Sequence, residues 1–180
     1  PKHRTMKHTV TLLAFTPLLA IGQSLVSSSP QDRSVLLEDF TGIHCGYCPE
    51  GHVIMEALEA QHGARLATIG IHAGPFATPA TGEPDFRTTP GTAIDAYFTI
   101  GGYPAGVINR RLFGGLDDLG RGAWEGAVAE VLELPSPVNM GVASTFDEGT
   151  RELTVTVELL YTADSPAGTD FISVLLKENH

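Results

Sequence analysis

The chain has 180 residues, with 21 Asp plus Glu against 11 Lys plus Arg, a formal charge of −10 and only two cysteines. So acidic a surface repels phosphate backbones and anionic headgroups, which rules down nucleic-acid binding. Two cysteines cannot staple a multi-bridge scaffold, so the fold must rest on a core, and 42% apolar residues are enough to build one.

The first segment reads as an address. Met6-Lys7-His8-Thr9 is a short basic start, Val10 to Ile21 is a mostly apolar run, and Gly22, Gln23 and Ser24 make a small, polar exit. That is the layout of a secretory signal, with cleavage expected before Gln23 and residues 1–22 removed. The run is too short to span about 30 Å of hydrocarbon; the alternative is a buried N-terminal helix. Pro1 to Thr5 precede the first Met and read as an upstream extension. No cysteine follows the apolar run, so a lipid-modified N-terminus is not expected. Residues 23–33, rich in Ser, read as a linker.

Ser34 to Phe40 is a short apolar run closed by Thr41-Gly42, the pattern of a buried strand. Cys48 to His62 reads as a helix, with Val53 and Leu58 among its inward residues, Glu56 and Glu59 on its wet face, and Gly63 as its stop. Arg65 to His72 is a second strand. Gly74 to Pro90, with its prolines, is a loop or excursion. Thr92 to Phe98 is a weak helix, Val107 to Arg110 a third strand, and Leu116 to Leu134 a helical pattern weakened by Gly120, Gly122 and Gly126. Strand, helix, strand, helix, strand is an α/β layer arrangement, in which consecutive parallel strands need right-handed crossovers. Pro135-Ser136-Pro137 then reads as a hinge, and the period changes: Val138 to Phe146, the alternating Leu153 to Leu159, and Phe171 to Leu176 read as three strands. The predicted division is a domain over 34–134 and the start of a β domain over 138–180. Three strands leave exposed edges and an uncovered face, so this region is expected to be an incomplete antiparallel β-sandwich.

Cys45-Gly46-Tyr47-Cys48 is the strongest signal. The two cysteines lie three apart, directly after a strand and at the opening of a helix. Free N–H groups and the positive dipole end stabilise a thiolate there, lowering a cysteine pKa from about 8.5 to between about 3.5 and 7.5. Cys45 is expected to be the exposed attacking thiol and Cys48 the buried resolving one. A static clip is a poor alternative, because so short a ring removes little unfolded-chain entropy. A metal site is the better alternative: His44, Cys45, Cys48 and His52 could converge, since Cys48 and His52 are four apart on one helix face. No second CxxC pair accompanies them, so the redox reading is favoured, and no metal or cofactor is expected. His72 reads as a core or loop histidine, Trp124 as core, and Arg110-Arg111 as a short surface pair.

The strand ending in Asp39-Phe40, with Asp39 six positions before Cys45 and CxxC-Pro49 opening a helix, resembles the thioredoxin fold. Gly102-Tyr103-Pro104-Ala105-Gly106-Val107 is similar to that fold's cis-proline loop. The wording of Val35 to Gly42 (VLLEDFTG) and of Cys45 to His52 (CGYCPEGH) resembles the outer membrane protein 28-related family, exported thioredoxin-like proteins of Gram-negative bacteria with a β-rich C-terminal region. The resemblance is dense over 34–58, recognisable over 101–111, and extends to the strands after Pro137; residues 74–90 are an insertion in the thioredoxin pattern. It implies that Asp39 is a buried acid beneath Cys48, able to take its proton, against a solvated acid at the strand edge, and that Tyr103-Pro104 is a cis peptide facing the sulfurs, against an ordinary trans loop proline. It implies a periplasmic location or an association with the outer membrane, and a C-terminal region that continues beyond residue 180.

Two functions follow from different classes. One is an exported thiol–disulfide oxidoreductase, of reductase or isomerase type, acting on partner protein thiols and disulfides. The other is a surface binding protein that keeps the frame and uses its β region for partners, with the disulfide vestigial.

Overall fold

Apolar residues on both sides of the pleat let Val35–Thr41 form a strand, β1, buried along nearly its whole length. The computed structural model describes residues 24–165 and 172–177; the expected signal segment, 1–22, and Gln23 lie outside them. The architecture is α/β. β1 pairs in parallel with β2 (Leu66–His72) and antiparallel with β3 (Ala105–Ile108), which pairs antiparallel with the two-residue β4 (Leu119–Gly120). The order across the sheet is β2-β1-β3-β4.

Helix α1 (Cys48–His62) joins the parallel pair. Pro49 sits in its first turn, where a missing N–H does no harm, and Gly63 ends it at φ 54°. Helix α2 (Thr89–Phe98) begins three residues before the expected Thr92, because the Thr88 hydroxyl accepts from Gly91 N at 3.0 Å and caps it there. Helix α3 is Trp124–Leu132. Leu58 of α1 and Trp124, Val128 and Val131 of α3 pack with Val35 and Leu37 on one face of the sheet. Phe98 of α2 packs with Phe40, Ile71 and Val107 on the other.

Several expectations need correction. Val53 is exposed: five residues from Cys48, it falls on the outer side of a 3.6-residue turn, and Ile54 and Met55 pack inward instead. The third strand is Ala105–Ile108, not Val107 to Arg110. Asn109 and Arg110 take φ of 48° and 50°, which ends the ladder, and the Asn109 side chain closes it by accepting from Leu36 N and donating to Ser34 O. The expected helix from Leu116 to Leu134 is a hairpin turn at Phe113–Leu116, then β4, then α3. Leu119 and Gly120 join the sheet, and the Trp124 indole donates to Leu119 O at 2.9 Å, which fixes where the helix can start. Arg110 and Arg111 are not a plain surface pair. Arg110 forks onto the buried Glu38 carboxylate at 2.7 and 2.9 Å, and Arg111 meets Glu130.

Strands β5 (Val138–Asp147) and β6 (Glu152–Tyr161) form a separate antiparallel hairpin. Its turn is set by Asp147 Oδ1, which accepts from Gly149 N and Thr150 N. Residues 172–177 carry no regular secondary structure, so the third strand expected at Phe171 to Leu176 is not formed; Phe171 itself lies outside the described residues. Alternating apolar residues make a strand only when an edge pairs with them, and Ile172, Val174 and Leu176 are exposed.

The stretch expected as a linker is tied down. Glu158 accepts from Ser24 Oγ and Leu25 N, Asn139 donates to Ser27 O and Ser29 O, and Ser136 N and Arg33 N complete bonds across residues 31–33 and 134–136. Among the described residues no helix is long and apolar enough to cross a membrane.

Candidate functional site

One end of the sheet collects the candidate residues. In the ladders Thr41 lies opposite His72, and Phe40 opposite Ala105, so β1 and β2 end, and β3 begins, at the same edge. The loop from β1 to α1 leaves from that edge.

Its path is dictated by close packing. A side chain at Gly42 would lie 2.6 Å from Ala77 N, because the backbone of Phe76 and Ala77 crosses directly over it. His44 N donates to Phe76 O at 3.0 Å, and Cys45 N closes a turn onto Gly42 O. The excursion after β2 therefore buttresses this loop, and Glu83 from the same excursion pairs with His44 Nε2 at 2.8 Å.

Cys45 and Cys48 are joined in a disulfide with Cα atoms 5.4 Å apart, and Cys48 opens α1. Cys45 is 7% exposed and Cys48 1%. Cys45 is therefore buried, not the exposed thiol expected, because in the closed ring each sulfur covers the other. The neighbouring Tyr47 stands out at 68% exposed. Arg121 lies over its ring and pairs with Glu50 at 2.7 Å, which makes the rim of the site on that side.

Tyr103–Pro104 is a cis peptide, as expected. Pro104 packs on the first turn of α1: a methyl at Gly51 would meet its ring at 3.2 Å and Trp124 at 3.1 Å. Tyr103 turns elsewhere. Its ring covers Gly74 and stands edge-on to Phe76, and its hydroxyl donates to Asp95 of α2. Burial, with the Asp95 carboxylate beside it, holds the phenol's pKa well above the usual value. Pro104 therefore faces the disulfide's helix turn, while Tyr103 ties the excursion to α2.

Asp39 is 0% exposed. It shares a face of β1 with Val35 and Leu37, the face that α1 and α3 cover. Neither carboxyl oxygen has a hydrogen-bond partner among the described residues, and burial raises the pKa from 3.8 to about 7. Its ion-pair partner is His52, expected from the sequence only as a candidate metal ligand. His52 Nε2 lies 3.3 Å from Asp39 Oδ2 and 3.2 Å from Thr41 Oγ1. The usable signal was double: His52 is four residues after Cys48 on a helix, and Asp39 and Thr41 are two apart on a strand. His72 Nδ1 is buried with no hydrogen-bond partner among the described residues; its ring lies tilted against Phe86, and burial followed by the charge of His52 lowers its pKa. No group of three or more His, Cys, Asp or Glu side chains that could hold a metal occurs among the described residues.

A disulfide at a helix N-terminus, with a carboxyl of raised pKa on the sheet face below, has the parts for thiol–disulfide exchange: an electrophilic sulfur pair, a dipole that stabilises a released thiolate, and a proton acceptor. No family model matches the chain, and no curated protein matches it.

Proposed function

We propose that this chain is an exported thiol–disulfide oxidoreductase of thioredoxin-like fold, related to the outer membrane protein 28-related family and acting on the thiols and disulfides of partner proteins. The observation that carries this reading is the Cys45–Cys48 disulfide at the opening of α1, above a buried carboxyl on the strand that the helix covers.

In the reducing direction two external thiols first reduce the Cys45–Cys48 disulfide, leaving as their own disulfide and giving the free dithiol. Cys45, as thiolate, attacks a substrate disulfide, and one substrate sulfur leaves. Cys48 gives its proton to Asp39 and attacks Cys45 Sγ; the mixed disulfide breaks, the second substrate sulfur leaves as a thiolate that takes a proton from water, and the Cys45–Cys48 bond re-forms. The dithiol is oxidised by two electrons and the substrate disulfide reduced by two. The signal segment supports export, and the family resemblance supports a periplasmic or outer-membrane-associated site of action.

One observation favours the binding-protein reading: Met140, Val142, Phe146 and Leu153 leave apolar surface exposed on the hairpin. The test separates the two. Cys48→Ser should attack partner disulfides without releasing them, so that adducts accumulate on non-reducing gels and collapse on reduction; Cys45→Ser should give none. Trapping by Cys45→Ser alone would reverse the order of attack. No adducts in either variant, with a potential below about −300 mV instead of within about −120 to −270 mV, would favour the binding protein.

A further inference from the structure

Asp39 has a difficulty that its burial creates. A carboxyl that takes a proton from Cys48 must lose it to water before the next cycle, yet this one has no exposed surface of its own. Its ladder neighbours on both sides are glycines, Gly70 on β2 and Gly106 on β3, so no side chain from either strand reaches it at its own level. Above Gly106 the space is filled by the Trp124 indole, whose N–H is already given to Leu119 O. Among the described residues His52 is the basic side chain at ion-pair distance, and it is 44% exposed on its outer side.

We propose that His52 is the proton port of the site: its imidazole, set between the buried Asp39 carboxyl and solvent, carries out to water the proton that Asp39 takes from Cys48. This rests on the oxidoreductase reading above. The protonated Asp39 hands its proton to His52 Nε2, and the imidazolium releases a proton to water, leaving Asp39 as a carboxylate and His52 neutral. No electron moves and no bond between heavier atoms changes. Thr41 Oγ1 lies 3.2 Å from the same nitrogen, so the transfer requires Nε2 to turn its lone pair from that hydroxyl to the carboxyl.

The groups that face His52 fix its electrostatics. On β1 these are Asp39 and Thr41. On β2 it is His72, opposite Thr41 in the ladder, whose pKa is lowered first by burial and then by the charge of His52. On α1 itself Cys48 and Glu56 lie one turn to either side. From β3 and α3 come only Gly106 and Trp124 at this level, and neither titrates.

The experiment has two arms. The first needs no turnover. In the disulfide form, NMR titration of the Asp39 carboxyl and the His52 ring should show two coupled steps sensed by both groups, and His52→Gln should leave one Asp39 step at higher pH. Independent titration of the two groups overturns the proposal. The second arm mixes reduced protein with a disulfide peptide in rapid-quench experiments at low buffer concentration. His52→Gln keeps a hydrogen bond available to Thr41 but carries no proton; His52→Ala leaves room for added imidazole. Both should attack the peptide at the native rate and resolve the mixed disulfide at least about tenfold more slowly, with imidazole restoring His52→Ala but not Asp39→Asn. Native resolution rates in both His52 variants, or slowing that imidazole does not relieve, overturn the port and leave the oxidoreductase standing. If the native protein forms no mixed disulfide, the oxidoreductase reading falls and the port falls with it.

Discussion

Replacing Asp39 by Asn changes how stability depends on pH, and the size of the change follows from burial. In the folded chain the carboxyl keeps its proton to about pH 7, against 3.8 ordinarily. Between those values the folded state binds more protons than the unfolded, so raising the pH favours unfolding. The contribution of Asp39 to stability is therefore undiminished below pH 4, is lost progressively to about pH 7, and then levels off. At about 1.4 kcal/mol for each pH unit, the loss approaches about 4 kcal/mol. Asn carries no charge at any pH, and buries a polar group with as little partnering as the protonated acid, so near pH 4 the two proteins should differ by no more than about 1 kcal/mol. At pH 8 the Asn variant should be more stable by up to about 4 kcal/mol. Urea unfolding of the disulfide form at intervals from pH 4 to 9 measures both curves, with the other titrating groups common to the two. Parallel curves, or a variant less stable than the native protein at pH 8, would refute the assignment of the buried charge to Asp39.

Two further substitutions probe the frame around the site. Gly106→Ala would put a methyl 2.6 Å from Trp124 Cε2 and should cost about 1–3 kcal/mol by overpacking; an unchanged urea midpoint would show that the indole can give way. Arg110→Ala leaves the Glu38 carboxylate buried without its fork and should cost about 2–4 kcal/mol, much of it recovered when Glu38→Gln is added, as a double-mutant cycle would show.

The parts of the fold that could be read from sequence are those whose cause is local. α1 runs over its expected range because proline near its start and glycine at its end act within one turn. β1 and β2 follow their apolar runs within a residue. The misreadings share a cause that lies far along the chain. Leu119 and Gly120 continue a helical pattern, but β3 has a free edge beside them, and two ladder partners and the Trp124 hydrogen bond outweigh helical periodicity. Asn109 ends β3 because its side chain finds the backbone of residues 34 and 36, more than seventy positions earlier. Ile172 to Leu176 alternate as a strand should, and nothing in their letters tells whether an edge receives them.

The site divides along the same line. The disulfide, its place at a helix start and the cis bond before β3 depend on short motifs and were legible. Burial of Asp39 was implied only by the family resemblance, and the residue pattern left a solvated strand-end acid equally open, because burial is made by three distant choices: glycine opposite it on β2, glycine opposite it on β3, and an indole from α3 in the space that a side chain at Gly106 would fill. Each glycine, taken singly in the sequence, is an ordinary weakening of a strand. Together they flank the carboxyl with bare backbone, deny it hydrogen bonds from the neighbouring strands, and leave His52 as its route outward. A side chain such as Ser or Asn at Gly70 would offer that carboxyl a second partner; in the disulfide form it should bring the Asp39 pKa down toward the ordinary range and weaken its coupling to His52, which ties the acid's chemistry to the strand beside it.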